Sequence, residues 1–165
     1  VHGMGYSLSP DGCYLALRGL RTLAARLRQP QESALRIAEW LQQRAEVEQV
    51  LHPAFPATPG HAFFKRDYGG STGLFSVVLK PCSPQQLEAM LDGFELFRMG
   101  YSWGGYESLV VPSSLGKARS VKPWKADGPM LRLHVGLEDP EDLIADLESG
   151  FARLRSSTPG ASAAQ

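Results

Sequence analysis

The chain has 165 residues and a formal net charge of zero, because its 17 Lys and Arg balance its 17 Asp and Glu. Hydrophobic residues make up 43% and charged residues 21%, which is typical of one globular domain and excludes a chain disordered by composition. The charge balance argues against nucleic-acid and membrane-surface binding, since both normally need a basic excess. No uninterrupted apolar stretch is long enough to cross a bilayer. We therefore expect neither a nucleic acid nor a membrane as a partner.

The start of the chain and its cysteines indicate where the protein works. Val1 stands in place of an initiating Met, and no charged segment followed by an apolar run begins the sequence. We expect a part of a longer, cytoplasmic protein. Cys13 and Cys82 lie far apart and in no metal-binding spacing, so no metal site is predicted. Two reduced, partly buried thiols are favoured over a single disulfide.

The first clearly periodic segment is helical. Ser9-Pro10-Asp11-Gly12 is a helix-start pattern, and apolar residues then recur every three or four positions from Tyr14 to Arg28. The pattern resumes after Pro30 and runs to Leu41. Because proline lacks the backbone N–H and clashes with the preceding turn, we predict one long helix kinked at Pro30, or two helices end to end. Four arginines give this segment a basic surface: Arg18, Arg21, Arg26 and Arg28.

The rest of the chain alternates between predicted strands and helices. Apolar and branched residues predict four strands, at 47–52, 74–79, 94–99 and 130–135. Ser83-Pro84 predicts the start of one helix, and the acidic run Asp139-Pro140 predicts the start of another. Residues 61–70 are mixed in character, and residues 112–129 are predicted to form a long loop.

This order of elements predicts an α+β fold. Helices on one side of a largely antiparallel sheet of about four strands form a two-layer sandwich, preceded here by the long kinked helix. We divide the chain into an N-terminal segment with the long linking helix (1–45), a small α+β domain (46–155) and a flexible tail (156–165).

Two segments have the chemistry to bind an anion. The glycine-rich run 102–108 lets backbone N–H groups approach an anion closely, although a tight turn with packed aromatic residues explains the same composition. It has neither the P-loop nor the dinucleotide spacing. Arg132 lies in the predicted strand 130–135, where alternation places it on one face with His134. Its planar fork matches a carboxylate, whereas an ordinary strand arginine would face solvent.

Other polar residues favour structural interpretations. Three histidines without an acidic or cysteine neighbour are interpreted as turn or surface residues: His52, His61 and His134. The acidic run from Glu138 to Asp142 could pair carboxylates for acid–base chemistry, but charge at a helix start explains it more simply. The flanking pattern of a nucleophile elbow is missing around three serines: Ser102, Ser108 and Ser113.

Several motifs together resemble the cystathionine-metabolising family of pyridoxal-phosphate enzymes, in the family's order and over nearly the whole chain. They are GYSWGGYESL at 100–109, YLALRGLRTL at 14–23, HP and PGH at 52–61, GLFS at 73–76, and LRLHVGLED at 131–139. Within the family the sequence is most similar to the bacterial cystathionine β-lyases. Members that act at the γ carbon tend to carry a glutamate and an aliphatic residue where this chain has Tyr101 and Trp103, so the resemblance favours β-elimination.

The resemblance implies a small domain that works with its own large domain, in an enzyme that is usually a homotetramer. The family's large domain holds pyridoxal 5'-phosphate and carries the Schiff-base lysine in a Ser-x-Thr-Lys motif. All lysines of this chain lie in other contexts: Lys65, Lys80, Lys117, Lys122 and Lys125. The resemblance therefore assigns no catalytic residue to this chain, and it predicts that the chain alone has no lyase activity.

The implied roles are in substrate binding. Arg132 would pair with the α-carboxylate of the amino-acid substrate, and Tyr101 would face the distal end of that substrate. Ser102 and Trp103 would lie beside the carboxylate, where Ser102 also orients the lysine and Trp103 offers its backbone N–H. The intact enzyme would cleave L-cystathionine to homocysteine, pyruvate and ammonia in methionine biosynthesis. A γ-synthase or γ-lyase type fragment, a non-catalytic oligomerisation module using the basic surface, and a free-standing carboxylate binder remain alternatives.

Overall fold

The computed structural model describes residues 7–115, 121 and 123–157. Its helices are α1 (Pro10–Arg21), α2 (Leu23–Leu41), α3 (His61–Asp67), α4 (Pro84–Asp92) and α5 (Pro140–Ser156). Its strands are β1 (Val47–Leu51), β2 (Leu74–Leu79), β3 (Arg98–Met99), β4 (Leu109–Ser113) and β5 (Met130–His134). The strands form one sheet in the order β1-β2-β5-β4-β3, antiparallel except for the β3–β4 pair. The predicted α+β fold is confirmed, with five strands instead of about four.

The core lies between the sheet and three helices, α2, α4 and α5. One face of β2, β4 and β5 contributes Phe75, Val77, Leu79, Val110, Leu131 and Leu133. The helices contribute Ala34, Ile37, Ala38, Leu41, Met90, Leu91, Leu143, Leu147, Phe151 and Leu154. Because side chains alternate along a strand, Ser76 and Arg132, which are register partners, point to the opposite face of the sheet. The predicted two-layer arrangement is therefore confirmed. The face of the sheet that the helices do not cover carries Ser76 and Arg132.

Two helices follow one another, as one of the predicted alternatives has it, but the break lies at Thr22 and its predicted position at Pro30 is wrong. Thr22 has φ −108° and ψ 4°, and the Arg26 guanidinium donates to the carbonyl oxygen of Gly19 at 2.7 Å, which closes the end of α1. Pro30 is buried inside α2. The helix continues past it because its second half is packed into the core and Gln31 accepts from the backbone N of Ser71 at 2.7 Å. Tertiary packing here outweighs the local cost of proline.

Helix α1 has an apolar stripe but no buried residue. Leu15, Leu17 and Leu20 are 62%, 59% and 64% exposed, so the hydrophobic face of α1 lacks a covering element among the described residues. By contrast, the second half of α2 packs into the small domain. The division of the chain at residue 45 stays a prediction. None of the described helices is long and apolar enough to cross a membrane.

Sequence patterns located the starts of α4 and α5 well. Ser83 and Gln86 form a capping box at the start of α4, and Asp139 caps α5 by accepting from the backbone N of Glu141 at 2.8 Å. The two cysteines are free thiols; Cys13 is exposed and Cys82 is half-buried. The flexible tail predicted at 156–165 begins too early, because α5 extends to Ser156; residues 158–165 lie outside the described residues.

The strand predicted at 94–99 is mostly a turn. The buried carboxylate of Asp146 in α5 accepts hydrogen bonds from the backbone N of Glu95, Leu96 and Phe97 at 3.0, 2.9 and 3.0 Å. These donors are therefore not available to a neighbouring strand, and only Arg98–Met99 pairs with β4. The apolar pattern correctly predicted burial, because Phe94 and Phe97 lie in the core.

The long loop predicted at 112–129 begins too early, because β4 runs from Leu109 to Ser113. Pro112 is tolerated in this strand since β3 pairs only with Leu109 and Val110, which leaves β4 as an edge strand from Val111 onward. The loop residues 116–120 and 122 lie outside the described residues. A further element missed by the sequence is α3, which begins after Gly60 at φ +88°.

Candidate active site

An open groove of about 1080 Å³ lies on the face of the sheet opposite the helices. Arg132 is placed on its floor by β5, between Ser76 of β2 and Val111 of β4. Its neighbours along the groove include Leu51, Ser76, Tyr101, Trp124 and Lys125. The predicted placement of Arg132 and His134 on one face of the strand is consistent with this register.

Arg132 is held against the glycine loop, which we define as residues 100–107. Its Nη2 donates to the carbonyl oxygen of Tyr101 at 2.5 Å, and its guanidinium carbon lies 5.9 Å from the centre of the Tyr101 ring. Arg132 therefore does not extend into solvent like an ordinary strand arginine. The two residues come from distant motifs, and the structure brings them together.

The other two predicted site residues belong to the same loop but lie differently. Ser102 and Trp103 are exposed, and neither forms a contact with Arg132 in the part of the chain that the structure describes. Trp103 lines a second, smaller cavity of about 90 Å³, together with His134 and with Leu27 and Pro30 of α2. The predicted turn of packed aromatic residues is wrong, because the ring of Tyr101 and the indole of Trp103 are 79% and 63% exposed.

Hydrogen bonds connect the glycine loop to β5 and to the segment that follows β5. Between its ends, the backbone N of Gly104 lies 3.2 Å from Nε2 of His134, and the carbonyl oxygen of Gly105 lies 3.2 Å from the same atom. Near its end, the carbonyl oxygen of Tyr106 accepts from the backbone N of Leu137 at 2.9 Å. His134 is only 4% exposed, so its interpretation as a turn or surface histidine is wrong.

A buried serine fixes the base of the loop. The hydroxyl of Ser108 donates to Glu138 Oε2 at 2.8 Å and accepts from the backbone N of Gly136 at 2.9 Å, while its backbone N donates to Glu138 Oε1 at 2.7 Å. Helix-start charge therefore explains Asp139 but not Glu138, which holds the loop. Ser108 is inaccessible, in keeping with its lack of a nucleophile pattern.

The other two histidines that the sequence analysis interpreted, His52 and His61, lie at the two ends of the segment between β1 and α3. His52 is fully buried, which corrects its interpretation as a surface residue, and its Nδ1 accepts from the backbone N of Ala54 at 3.2 Å. Desolvation by burial lowers the pKa of His52. His61 lies at the start of α3 with Nδ1 2.9 Å from the carbonyl oxygen of Pro53. The lining of the groove includes Thr58 from this same loop.

Comparisons with known proteins agree with the resemblance. The model of the family described as "Cys/Met metabolism PLP-dependent enzyme" matches residues 1–152. The cystathionine beta-lyase of Salmonella typhimurium is 51% identical over 155 residues, which cover 92% of this chain and 39% of that protein. The L-alanine/L-glutamate racemase of Wolbachia pipientis wMel is 41% identical over 152 residues, which cover 91% of this chain and 38% of that protein.

A solved structure extends the comparison to the fold. The cystathionine gamma synthase from Xanthomonas oryzae pv. oryzae, in complex with aminoacrylate and cysteine, aligns with a TM-score of 0.81 at 36% identity. The alignment covers 94% of this chain and 41% of that one. The chain thus spans about 40% of the length of the relatives it matches.

The described residues do not by themselves fit pyridoxal phosphate. That cofactor needs an amine for its aldehyde and a cradle of donors for its phosphate. Lys125 is the described lysine that borders the groove, and it is exposed on an irregular segment. The N–H of Gly104, the loop's left-handed glycine, is directed at His134 and is not available to a phosphate.

Proposed function

Because the chain belongs to the Cys/Met metabolism family of PLP-dependent enzymes, we propose that it is the small, substrate-binding domain of a cystathionine β-lyase. The intact enzyme cleaves the C–S bond of L-cystathionine by β-elimination and releases homocysteine, pyruvate and ammonia. The observation that carries this proposal is the position of Arg132 on the groove floor, with its guanidinium aimed by the carbonyl oxygen of Tyr101.

Arg132 has the capacity to bind a carboxylate in this position. A guanidinium has five N–H donors, and the bond to Tyr101 uses one of them. Among the residues that the structure describes, no Asp or Glu forms an ion pair with Arg132. A positive charge without an internal counterion favours an anionic group of the substrate, and the planar fork suits a carboxylate.

The glycine loop supplies the rest of the proposed substrate site. Ser102 and Trp103 are exposed and follow Tyr101 directly in sequence, which supports their inclusion in the same substrate site. The Tyr101 ring borders the groove and faces the distal end of the substrate. A neutral aromatic residue tolerates a different distal group from the glutamate of γ-acting relatives. The higher identity to a β-lyase than to a γ-synthase also supports β-elimination.

The remainder of the enzyme supplies what this chain lacks. We propose that the large domain holds the cofactor and its lysine, and that it covers the exposed hydrophobic face of α1. Pyridoxal phosphate, when bound there, stabilises the negative charge that develops on the substrate. We further propose a homotetramer for the intact enzyme and the cytoplasm as its compartment, in keeping with two free thiols.

An assay of the intact protein tests the reaction. With pyridoxal phosphate and L-cystathionine, the intact protein should release pyruvate steadily, and this chain alone should release none. Release of 2-oxobutyrate would instead identify γ-elimination. Racemisation of alanine without pyruvate release would assign the reaction named for the Wolbachia relative. Pyruvate release by the chain alone would overturn the proposal that the large domain supplies the cofactor and its lysine.

A structural role in assembly has a separate test. Arg18, Arg21 and Arg28 are exposed on α1 and α2, and this basic surface is the feature on which a non-catalytic oligomerisation module would rest. Size-exclusion chromatography of the chain should give a monomer if its contacts are with the large domain. A stable oligomer that dissociates when these arginines are replaced would favour the assembly role.

A further inference from the structure

The middle of the glycine loop depends on one buried side chain. His134 lies two residues from Arg132 on β5, and its ring is 4% exposed. Its Nε2 is 3.2 Å from the backbone N of Gly104 and 3.2 Å from the carbonyl oxygen of Gly105. One ring nitrogen thus faces a donor and an acceptor at the same time.

Either tautomer of the neutral ring can hold the loop. The N–H of Gly104 lies over the ring within 3.2 Å and 3.5 Å of its two nitrogens in both tautomers, and Nε2 with a proton also donates to the carbonyl oxygen of Gly105. Gly104 has φ +81°, a left-handed conformation that favours glycine, and this turn brings the two backbone groups to the ring.

Among the described residues, few other contacts order this part of the loop. The side chains of Tyr101, Trp103 and Tyr106 are 79%, 63% and 69% exposed, so burial of apolar surface contributes little to its conformation. Arg132 holds Tyr101 at one end, and Leu137 holds Tyr106 at the other. His134 supplies the side-chain contact between those two points.

We propose that His134 is a positioning residue that sets the conformation of residues 103–105 and thereby places Ser102 and Trp103 beside the carboxylate site of Arg132. The role toward substrate rests on the proposed function. The effect of His134 on the loop conformation depends only on the contacts of its ring with Gly104 and Gly105, so it can be tested without substrate.

The first test measures amide exchange with water in the full chain by NMR. His134→Leu removes both contacts at similar volume and should accelerate exchange of the Gly104 N–H about fivefold, as expected for one net hydrogen bond. His134→Gln carries both an acceptor and a donor at its tip, and it should restore most of the protection. The control is Leu133→Val, which perturbs the core face of the same strand without touching the loop.

The results have distinct meanings. Acceleration confined to residues 103–105 in His134→Leu, with rescue by His134→Gln, supports the proposal. Unchanged exchange in His134→Leu overturns it. Equal acceleration in Leu133→Val also overturns it, because the effect would then report general destabilisation of β5.

A second measurement needs no variant and covers the case in which His134→Leu does not fold. The backbone N of Gly104 lies 3.5 Å from Nδ1 and 3.2 Å from Nε2, so its N–H lies over the face of the ring, near the edge that carries Hε1. The wild-type chain should show a nuclear Overhauser effect between His134 Hε1 and the Gly104 amide proton. Its absence would overturn the proposal.

The link to substrate is measured in the intact enzyme. His134→Leu should raise the KM for cystathionine more than it lowers kcat, and His134→Gln should recover it, because the loop binds substrate and carries no reacting group. If the wild-type enzyme does not act on cystathionine while the Gly104 exchange responds as expected, the proposed function fails and the hold on the loop stands. If the enzyme acts and the exchange does not respond, the positioning role fails alone.

Discussion

The carbonyl oxygen of Tyr101 accepts a hydrogen bond from Nη2 of Arg132 at 2.5 Å, across 31 positions of sequence. This bond joins the glycine loop to the central part of the sheet, because β5 lies between β2 and β4. It fixes the guanidinium in the groove, and one bond leaves most of its five donors free for a ligand. The bond gives Arg132 a defined orientation that an ordinary surface arginine does not have.

Replacing this arginine should impair substrate binding in the intact enzyme. Arg132→Ala removes the proposed partner of the substrate carboxylate, and we expect a loss of about 2–4 kcal/mol in binding, seen as a sharply raised KM for cystathionine. Steady-state kinetics at pH 7 would measure it. Arg98→Ala is a matched control, since Arg98 is an exposed strand arginine at the edge of the same sheet. An unchanged KM in Arg132→Ala would remove this residue from the site.

How much of this site could be predicted from the sequence depends on the range of the interactions. Alternation in the 130–135 segment placed Arg132 and His134 on one face, which is a local inference. The contacts of those residues with the glycine loop span about 30 residues, and no local pattern encodes them. The chemistry of an arginine on a strand had already indicated Arg132 as a carboxylate binder, and the resemblance to a family added Tyr101. His134 and Glu138 were assigned to ordinary structural roles.

A glycine next to the loop should tolerate no side chain. A Cβ added at Gly136 would overlap the backbone carbonyl oxygen of Tyr106, whose position is fixed by the N–H of Leu137. We expect Gly136→Ala to lower the free energy of unfolding by about 1–3 kcal/mol through this overpacking.

The matched control for this substitution lies in the loop itself. A Cβ at Gly105 would meet no atom within 4 Å, and its φ is not positive, so Gly105→Ala should leave the free energy of unfolding nearly unchanged. Urea denaturation of both variants gives the comparison. Equal stability of the two variants would contradict the close approach of Tyr106 to Gly136.

A buried carboxylate should make a large contribution to stability. Asp146 accepts from three consecutive backbone N–H groups at 2.9–3.0 Å, and it is 8% exposed. Asp146→Ala leaves those donors without their acceptor, so we expect a loss of about 3 kcal/mol in the free energy of unfolding. Asp142→Ala, one helical turn earlier and exposed, should cost about 0.5 kcal/mol. Similar losses in thermal or urea unfolding would contradict the role of Asp146.

The same carboxylate explains why one predicted strand was wrong. The apolar residues at 94–99 fit a strand, and Phe94 and Phe97 do enter the core. What decides the backbone conformation is a residue about 50 positions later, whose carboxylate takes the N–H groups that a sheet would need. Helix starts were predicted better, because Ser83 and Asp139 act within three residues of themselves.

Acid should destabilise the chain through His52. Its Nδ1 accepts from the backbone N of Ala54, and its ring lies 5.4 Å and 5.7 Å from the ring centres of Phe55 and Phe75, so the buried ring is neutral. Burial lowers the pKa of His52, which means that the unfolded chain binds a proton more readily than the folded chain. Stability is therefore fully present above the unfolded pKa of about 6.5 and decreases as the pH falls below it.

The pH dependence of unfolding tests this assignment. Between pH 7 and pH 5, urea denaturation of the wild-type chain should show a decreasing free energy of unfolding, and His52→Leu should reduce the slope by up to about 1.4 kcal/mol per pH unit. The slopes are compared, because the substitution also changes the packing against Phe75. His61→Ala keeps His52, so it should keep the slope. A slope that persists unchanged in His52→Leu would show that another group carries the acid sensitivity.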